Sequence, residues 1–233
     1  MTETRIDTGS HDLDSLIHDG ITRSGITSIY GEAGTGKTTI ALQITRQTAM
    51  QGLKVLYVDS DRSFTQQRFQ QITGVNFHDL SELVLLFFPE DFEEQRILLE
   101  SLENFLTPTV GLVVVDSMSS LYRVAFSATD NSIFKLNRAL TRQLAYLSEL
   151  SMTRKVACLI TSQVHARLTG HIAQIEPVAR RALFHFPKTI IRLRNTPSSN
   201  VKECIVERDE GIDVLNRRCI LALTDRGFTD LQK

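Results

Sequence analysis

The sequence predicts an α/β fold: a mostly parallel central sheet flanked by helices and extended by antiparallel strands near the C-terminus. Three observations predict it. A glycine-rich phosphate-loop pattern lies between a β-rich run and a helical run. Short apolar runs then alternate with helical patterns as far as Thr161, as in an α/β domain with right-handed crossovers. Past Lys188, three strand-like runs follow with only turn material between them, the spacing of hairpins.

The first strand is Ile26-Thr27-Ser28-Ile29-Tyr30, followed by the loop and a helix from Thr39 to Met50. Lys54 to Asp59 is the next strand, and Leu83 to Phe88 another, ended by Pro89. Asp91 to Leu106 reads as one helix that buries Phe92, Leu98, Leu99, Leu102 and Phe105. Gly111 to Asp116 is a continuous apolar run, as expected of a parallel strand covered on both faces. Asn131 to Ser151 carries the clearest helical stripe, with Ile133, Leu136, Leu140, Leu144 and Leu147 three or four residues apart. Lys155 to Thr161 is a further strand. His165 to Pro187 shows weak periodicity. Lys188 to Arg194, Val201 to Glu207 and Cys219 to Thr224 form the closing strands, with turns at residues 196–200 and 209–211. No repeat, low-complexity segment or linker divides the chain, so one domain over residues 1–233 is expected.

Composition narrows the function classes. A net charge of -1 gives no whole-protein signal for nucleic acid, so any such contact must come from a local patch. Cys158, Cys204 and Cys219 are far apart in sequence and odd in number, which predicts reduced thiols and neither a disulfide framework nor a zinc site. The N-terminus starts polar, without the apolar stretch of a signal peptide. No apolar run approaches the ~18 residues of a membrane span. A soluble, cytoplasmic protein with no membrane partner is expected.

Gly31-Glu32-Ala33-Gly34-Thr35-Gly36-Lys37-Thr38 fits the pattern G-x-x-x-x-G-K-[ST] without a mismatch. In such a loop the glycines turn the backbone so that N–H groups point inward, and the helix behind adds partial positive charge. Lys37 then reaches the β- and γ-phosphates, and Thr38 binds Mg²⁺. Asp116, ending its apolar strand, is the expected acidic partner of the metal; otherwise it is a polar strand end or helix cap. Asp61, just past the second strand, could polarise an attacking water or be an ordinary acidic loop residue. Gln163 follows the strand ending near Thr161, where strand ends face the ligand crevice. It could hydrogen-bond a γ-phosphate or be a solvated loop amide. Between His165 and Lys188, Arg167, Arg180, Arg181 and Lys188 face a single acidic residue, Glu176, with Phe184 and Phe186 nearby. Basic groups contact phosphates and aromatics stack on unpaired bases; the alternative is a surface loop with ordinary arginines. The histidines there lack metal-ligand spacing.

Together these motifs resemble the RecA/Rad51/RadA recombinase family, its short archaeal paralogues in particular. The likeness runs through Thr8-Gly9, Leu13-Asp14-Ser15-Leu16, Gly20-Ile21, Gly25 to Glu32, Val58-Asp59-Ser60-Asp61, Phe64, Gln95, Leu112 to Ser117 and Thr161-Ser162-Gln163-Val164. It implies a RecA-like ATPase core that binds ATP and Mg²⁺, with Thr39 joining the nucleotide set and Arg68 stacking on adenine. It implies Gln163 as the γ-phosphate sensor. It also implies two DNA-binding loops, roughly Arg123 to Asp130 and His165 to Leu183, with Arg167, Arg180 and Arg181 on the second. DNA, single-stranded in preference to duplex, is the implied partner; a full-length RadA-type recombinase and a homo-oligomer are compatible with it. Two departures matter. The chain begins almost directly at the ATPase core, which implies an auxiliary or regulatory role in recombination and repair rather than strand exchange. Asp61 stands where the family usually has glutamate, one methylene longer. A misplacement on the order of 1 Å can reduce rate about a hundredfold, so tight binding with slow hydrolysis is expected. The rival expectation is a signalling or scaffold module similar to single-domain KaiC-like proteins. A small-molecule kinase would need an acceptor pocket and lid for which no residues argue.

Overall fold

A computed structural model describes residues 5–127, 133–169, 172–177 and 180–231; the side chains of residues 165–180 lie outside that description. The elements are β1 (Arg5–Ile6), α1 (His11–Leu16), β2 (Ile21–Thr22), β3 (Ile26–Gly31), α2 (Lys37–Met50), β4 (Lys54–Asp59), α3 (Gln66–Thr73), α4 (Phe77–Leu80) and β5 (Val84–Phe87). There follow α5 (Phe92–Ser101), a 3-10 turn (Leu102–Phe105), β6 (Val110–Asp116), α6 (Ser120–Ser127), α7 (Ile133–Arg154), β7 (Ala157–Thr169) and β8 (Ile172–Pro177). The chain closes with α8 (Arg180–His185), β9 (Thr189–Asn195), β10 (Val201–Asp209), β11 (Ile212–Thr224) and β12 (Gly227–Asp230).

The main sheet runs β12-β11-β10-β9-β3-β7-β6-β4-β5. From β9 to β5 every neighbour is parallel. From β9 to β12 every neighbour is antiparallel. The expected parallel sheet with an antiparallel extension is therefore present. β4 and β6 read as unbroken apolar runs because each buries both faces. In β6, Leu112 and Val114 join the core under α2 and α3. Val113 and Val115 join the opposite core, under α5 and α7. The same division separates Val55 and Tyr57 from Leu56 and Val58 in β4. This period of two decides which strand-end residues meet the phosphate loop.

Local differences from the sequence reading have physical causes. The helix expected over Asp91 to Leu106 leaves α geometry at Ser101 and tightens into the 3-10 turn, which turns Phe105 outward (41% exposed). Gln95 takes a fully buried place on α5 instead. On α7 the stripe is buried at Leu140, Leu144 and Leu147, but Ile133 at its start is 49% exposed. β7 continues past Thr161 to Thr169 and pairs with β8, aligning Ala166 with Ile175 and Leu168 with Ala173. Apolar residues oppose apolar ones across that pair, a period-two signal hidden among the polar residues between them. Cys204 and Cys219, distant in sequence, are cross-strand partners in β10 and β11, and both are free thiols. No helix among the described residues is long and apolar enough to cross a membrane.

Candidate nucleotide-binding site

β3 delivers the chain into the phosphate loop at its carboxyl end. This is the switch point of the sheet, where β3 lies between β7 and β9. Gly31 admits no side chain, since a Cβ there would sit 2.4 Å from the Leu193 carbonyl oxygen. Gly34 and Gly36 hold φ of 75° and 95°, the left-handed region open to glycine. Thr35 closes the turn by donating its hydroxyl to the Glu32 carbonyl at 2.8 Å. Glu32 in turn accepts from Asn195 at 3.1 Å, and Ala33 and Gly34 are exposed at the tip.

The start of α2 is built differently from other helix starts in the chain. Side chains of Ser10, Thr65, Asn76 and Asp91 cap α1, α3, α4 and α5. At α2 the cap residue is Gly36, which has no side chain to offer, and no acidic residue occupies the first turn. The first N–H groups and the positive end of the dipole are thereby left for an anion. Lys37 adds a cation at the same point. Its ammonium is buried and donates to the carbonyls of Gly31 (3.0 Å) and Glu32 (2.7 Å). Burial pushes its pKa down, while Asp116, Asp61 and Glu32 push it back up. Thr39 is buried in the same turn.

Asp116 faces this helix start for the reason of parity given above. It shares a face with Leu112 and Val114, as Tyr57 does on β4 and Thr161 on β7. Its carboxylate accepts from Tyr57 Oη at 2.9 Å and from Thr161 Oγ1, and the Thr38 hydroxyl lies close enough to influence it. Burial holds its pKa above the usual carboxylate range, the three hydroxyls pull it down, and Asp61 raises it again. Burial and the neighbouring Asp116 also push the Tyr57 phenol well above its ordinary value. The donor set suits Mg²⁺, since Thr38 and Asp116 offer hard oxygens and a buried negative charge. Among the described residues no cluster of three or more His, Cys, Asp or Glu could form an all-protein metal site. A cation here would complete its shell with phosphate oxygens and water.

The next carboxylates divide their roles. Asp59 is fully buried and ties the loop after β4, accepting from the N–H groups of Ser63 (3.2 Å) and Phe64 (2.8 Å). Asp61 is thereby projected outward, exposed, into a cleft lined also by Ser120, Arg123, Val124, Ser127 and Gln163. Gln163 lies directly opposite Gly31 in the β3–β7 register. Its N–H donates to Ser119 Oγ at 3.1 Å, and its Oε1 accepts from Arg123 Nη1 at 2.5 Å. Lys37, Thr38, Asp116, Asp61 and Gln163 are thus gathered at one end of the sheet.

Arg68 makes no bond to any of these residues. It lies on α3 with its guanidinium bonded to Gln71 Oε1 at 3.1 Å, and its bonds to described residues stay within α3 and the Thr65 cap. Arg181 is exposed on α8. Arg167 on β7 and Arg180 at the start of α8 have side chains outside the described residues, as do residues 128–130 of the expected first DNA loop.

Sequence reasoning passed over Tyr57 and Thr161, which hold Asp116. Sequence offered no signal for this, since only the sheet order sets β4 and β7 on either side of β6. It also left Gln95 without a partner. In the structure Gln95 joins Ser60 (2.9 Å) to Gln143 (2.9 Å), a buried amide link from the Asp61 loop to α7.

Comparison with known proteins agrees with this geometry. The Rad51 family model matches residues 2–231. The DNA repair and recombination protein RadB of Methanococcoides burtonii is 34% identical over 184 residues, covering 79% of this chain and 80% of that protein. The RadB of Thermococcus kodakarensis is 31% identical over 234 residues, covering 97% and 100%. The crystal structure of the RadB recombinase superposes with a TM-score of 0.79 at 29% identity, covering 97% of this chain and all of that one. The expected likeness to the recombinases and their short archaeal paralogues is borne out, as is the RecA-like fold. The chain belongs to the Rad51 family.

Proposed function

We propose that this protein binds ATP with Mg²⁺ at the phosphate loop, hydrolyses it slowly, and acts on DNA as a RadB-like protein of recombination and repair. One observation carries the reading: the uncapped start of α2, with Lys37 in it, lies beside a buried carboxylate held by two hydroxyls. Backbone N–H groups and Lys37 hold the phosphates. Thr38 and Asp116 hold Mg²⁺, which when bound neutralises charge on the phosphate oxygens. Asp61 orients the attacking water, Gln163 senses the γ-phosphate, and Arg68 stacks on adenine.

DNA contact is local. The chain's net charge of -1 supplies no general attraction, so Arg167, Arg180 and Arg181 supply it around β8 and α8. The role is auxiliary, beside a full-length RadA-type recombinase, with single strands preferred over duplex. Membership in the Rad51 family and RadB-named relatives over most of the chain support this reading.

The test is a salt series of single-strand and duplex binding, with and without ATP and Mg²⁺. Affinity for single strands should fall steeply with salt, and the slope should flatten when Arg181 is replaced by alanine. Binding of nucleotide without any salt-dependent DNA affinity would favour a scaffold acting through protein contacts. Asp61→Glu reports separately on the chemistry. Turnover should rise, by roughly tenfold or more, if carboxylate reach limits the wild-type rate. Unchanged turnover would remove Asp61 from the role of base.

A further inference from the structure

We propose that Arg123 is a positioning residue: it fixes the orientation of the Gln163 amide so that the NH₂ group, not the carbonyl oxygen, is presented to the γ-phosphate. The inference rests on the reading of Gln163 as the sensor and assigns the group that makes it one.

Hydrogen-bond chemistry forces the orientation. A guanidinium only donates, and a carboxamide has one accepting oxygen and one donating nitrogen. Arg123 Nη1 donates to Gln163 Oε1 at 2.5 Å. The nitrogen, Nε2, is then left to donate, and it makes no bond with a described residue. A phosphate oxygen can only accept. An amide held by Arg123 is therefore a reader of phosphate; the same amide rotated by half a turn would present lone pairs to an anion. A charged donor makes this bond roughly twice as strong as a neutral one, enough to bias the rotation.

The backbone that carries Arg123 is itself fixed. The corner between β6 and α6 is tied to the end of β7 by two bonds nearer the core. Met118 N donates to the Thr161 carbonyl at 2.9 Å, and Gln163 N donates to Ser119 Oγ at 3.1 Å. Ser119 is fully buried, and its carbonyl accepts from Arg123 N at 3.1 Å. The Arg123–Gln163 bond is the third and outermost tie, opening onto the cleft that Asp61 also lines. Gln163 stands opposite Gly31 in the β3–β7 register, so the backbone that carries the oriented amide runs beside the first residue of the phosphate loop.

The readout is the preference for a non-hydrolysable ATP analogue over ADP, each with Mg²⁺, measured by calorimetry on the full chain. Arg123→Ala should lower that preference by about tenfold to a hundredfold, the range of one bond to a charged group, and leave ADP affinity within about twofold. Arg123→Lys, which keeps a donor, should restore most of it. Gln163→Glu keeps an acceptor for Arg123 but has no donor for phosphate, so it should lose the preference. In Gln163→Ala, adding Arg123→Ala should have no further effect, because both substitutions break the same unit.

Additive losses in that double variant would overturn the proposal and make Arg123 a direct phosphate contact. So would a full preference in Arg123→Ala, or equal loss of ATP and ADP binding with no rescue by lysine. A full preference in Gln163→Ala would overturn the sensor reading instead, and so separates the two failures.

Discussion

The two halves of the sheet solve different problems. In the parallel half, β3, β4 and β6 are buried on both faces, and the carboxylates Asp59 and Asp116 stand at the carboxyl ends of β4 and β6. In the antiparallel half, burial alternates along β10, and much of β11 faces water. Exposed or half-exposed ion pairs decorate it, such as Arg208 with Asp213 and Arg218 with Glu203. The difference teaches where chemistry can be placed. A row of strand ends meeting a helix start gives fixed positions for oppositely charged groups, and dry walls strengthen their interactions. A sheet with one wet face cannot do that. It serves as a wall instead: Phe228 of β12 and Leu223 of β11 lie against Gly36.

That wall provides the strongest test of the comparison. A Cβ added at Gly36 would lie 2.6 Å from Phe228 Cζ, on a backbone with φ of 95°. Gly36→Ala should cost stability on the order of 2–4 kcal/mol and weaken nucleotide binding at least tenfold. Thermal melting and an ATP titration read both. A variant with wild-type melting and affinity would mean the two halves are not tightly joined at the loop.

Asp116→Asn separates function from stability within the parallel half. Burial raises the folded-state pKa of Asp116 above its unfolded value. A raised carboxyl pKa means the folded state holds the proton more tightly, so this contribution is full at acid pH. It is lost as pH rises through the raised value. The asparagine variant lacks this titration. Melting curves from acid to neutral pH should show the wild type losing stability relative to the variant. Mg²⁺-dependent ATP binding should meanwhile fall at least tenfold in the variant. Parallel pH profiles for the two proteins would contradict the burial argument.

The smallest effect belongs to the outer hairpin. Leu215 on β11 is 88% exposed. Leu215→Ser should change stability by less than about 0.5 kcal/mol and leave nucleotide affinity unchanged. A larger effect on either would show that this edge is coupled to the site.

The same contrast explains what the sequence disclosed. Strands covered on both faces leave unbroken runs such as Leu112 to Val115, and these were legible. The phosphate loop was legible because Gly36 and Lys37 sit at fixed offsets in a strand–loop–helix context. The extension of β7 past Thr161 is not legible in the sequence because it mixes His165 and Arg167 with Ala166 and Leu168, and its pairing partner lies further along the chain. The short β1–β2 pair and α3 lacked length or an apolar run. Asp116 could be picked out as a strand-end acid, but its hydroxyl partners come from β4 and β7, and only the sheet order brings Tyr57 and Thr161 to it. Arg123 was equally hidden, since its bond to Gln163 spans forty residues of chain.

The most direct test is calorimetric titration of the full chain with a non-hydrolysable ATP analogue, with and without Mg²⁺, beside Lys37→Ala. The wild type should bind one analogue per chain in a Mg²⁺-dependent manner, and Lys37→Ala should lose at least about a hundredfold in affinity, as expected when a buried charge pair to phosphate is removed. Equal affinity in the two proteins, or no binding to the wild type, would contradict the account.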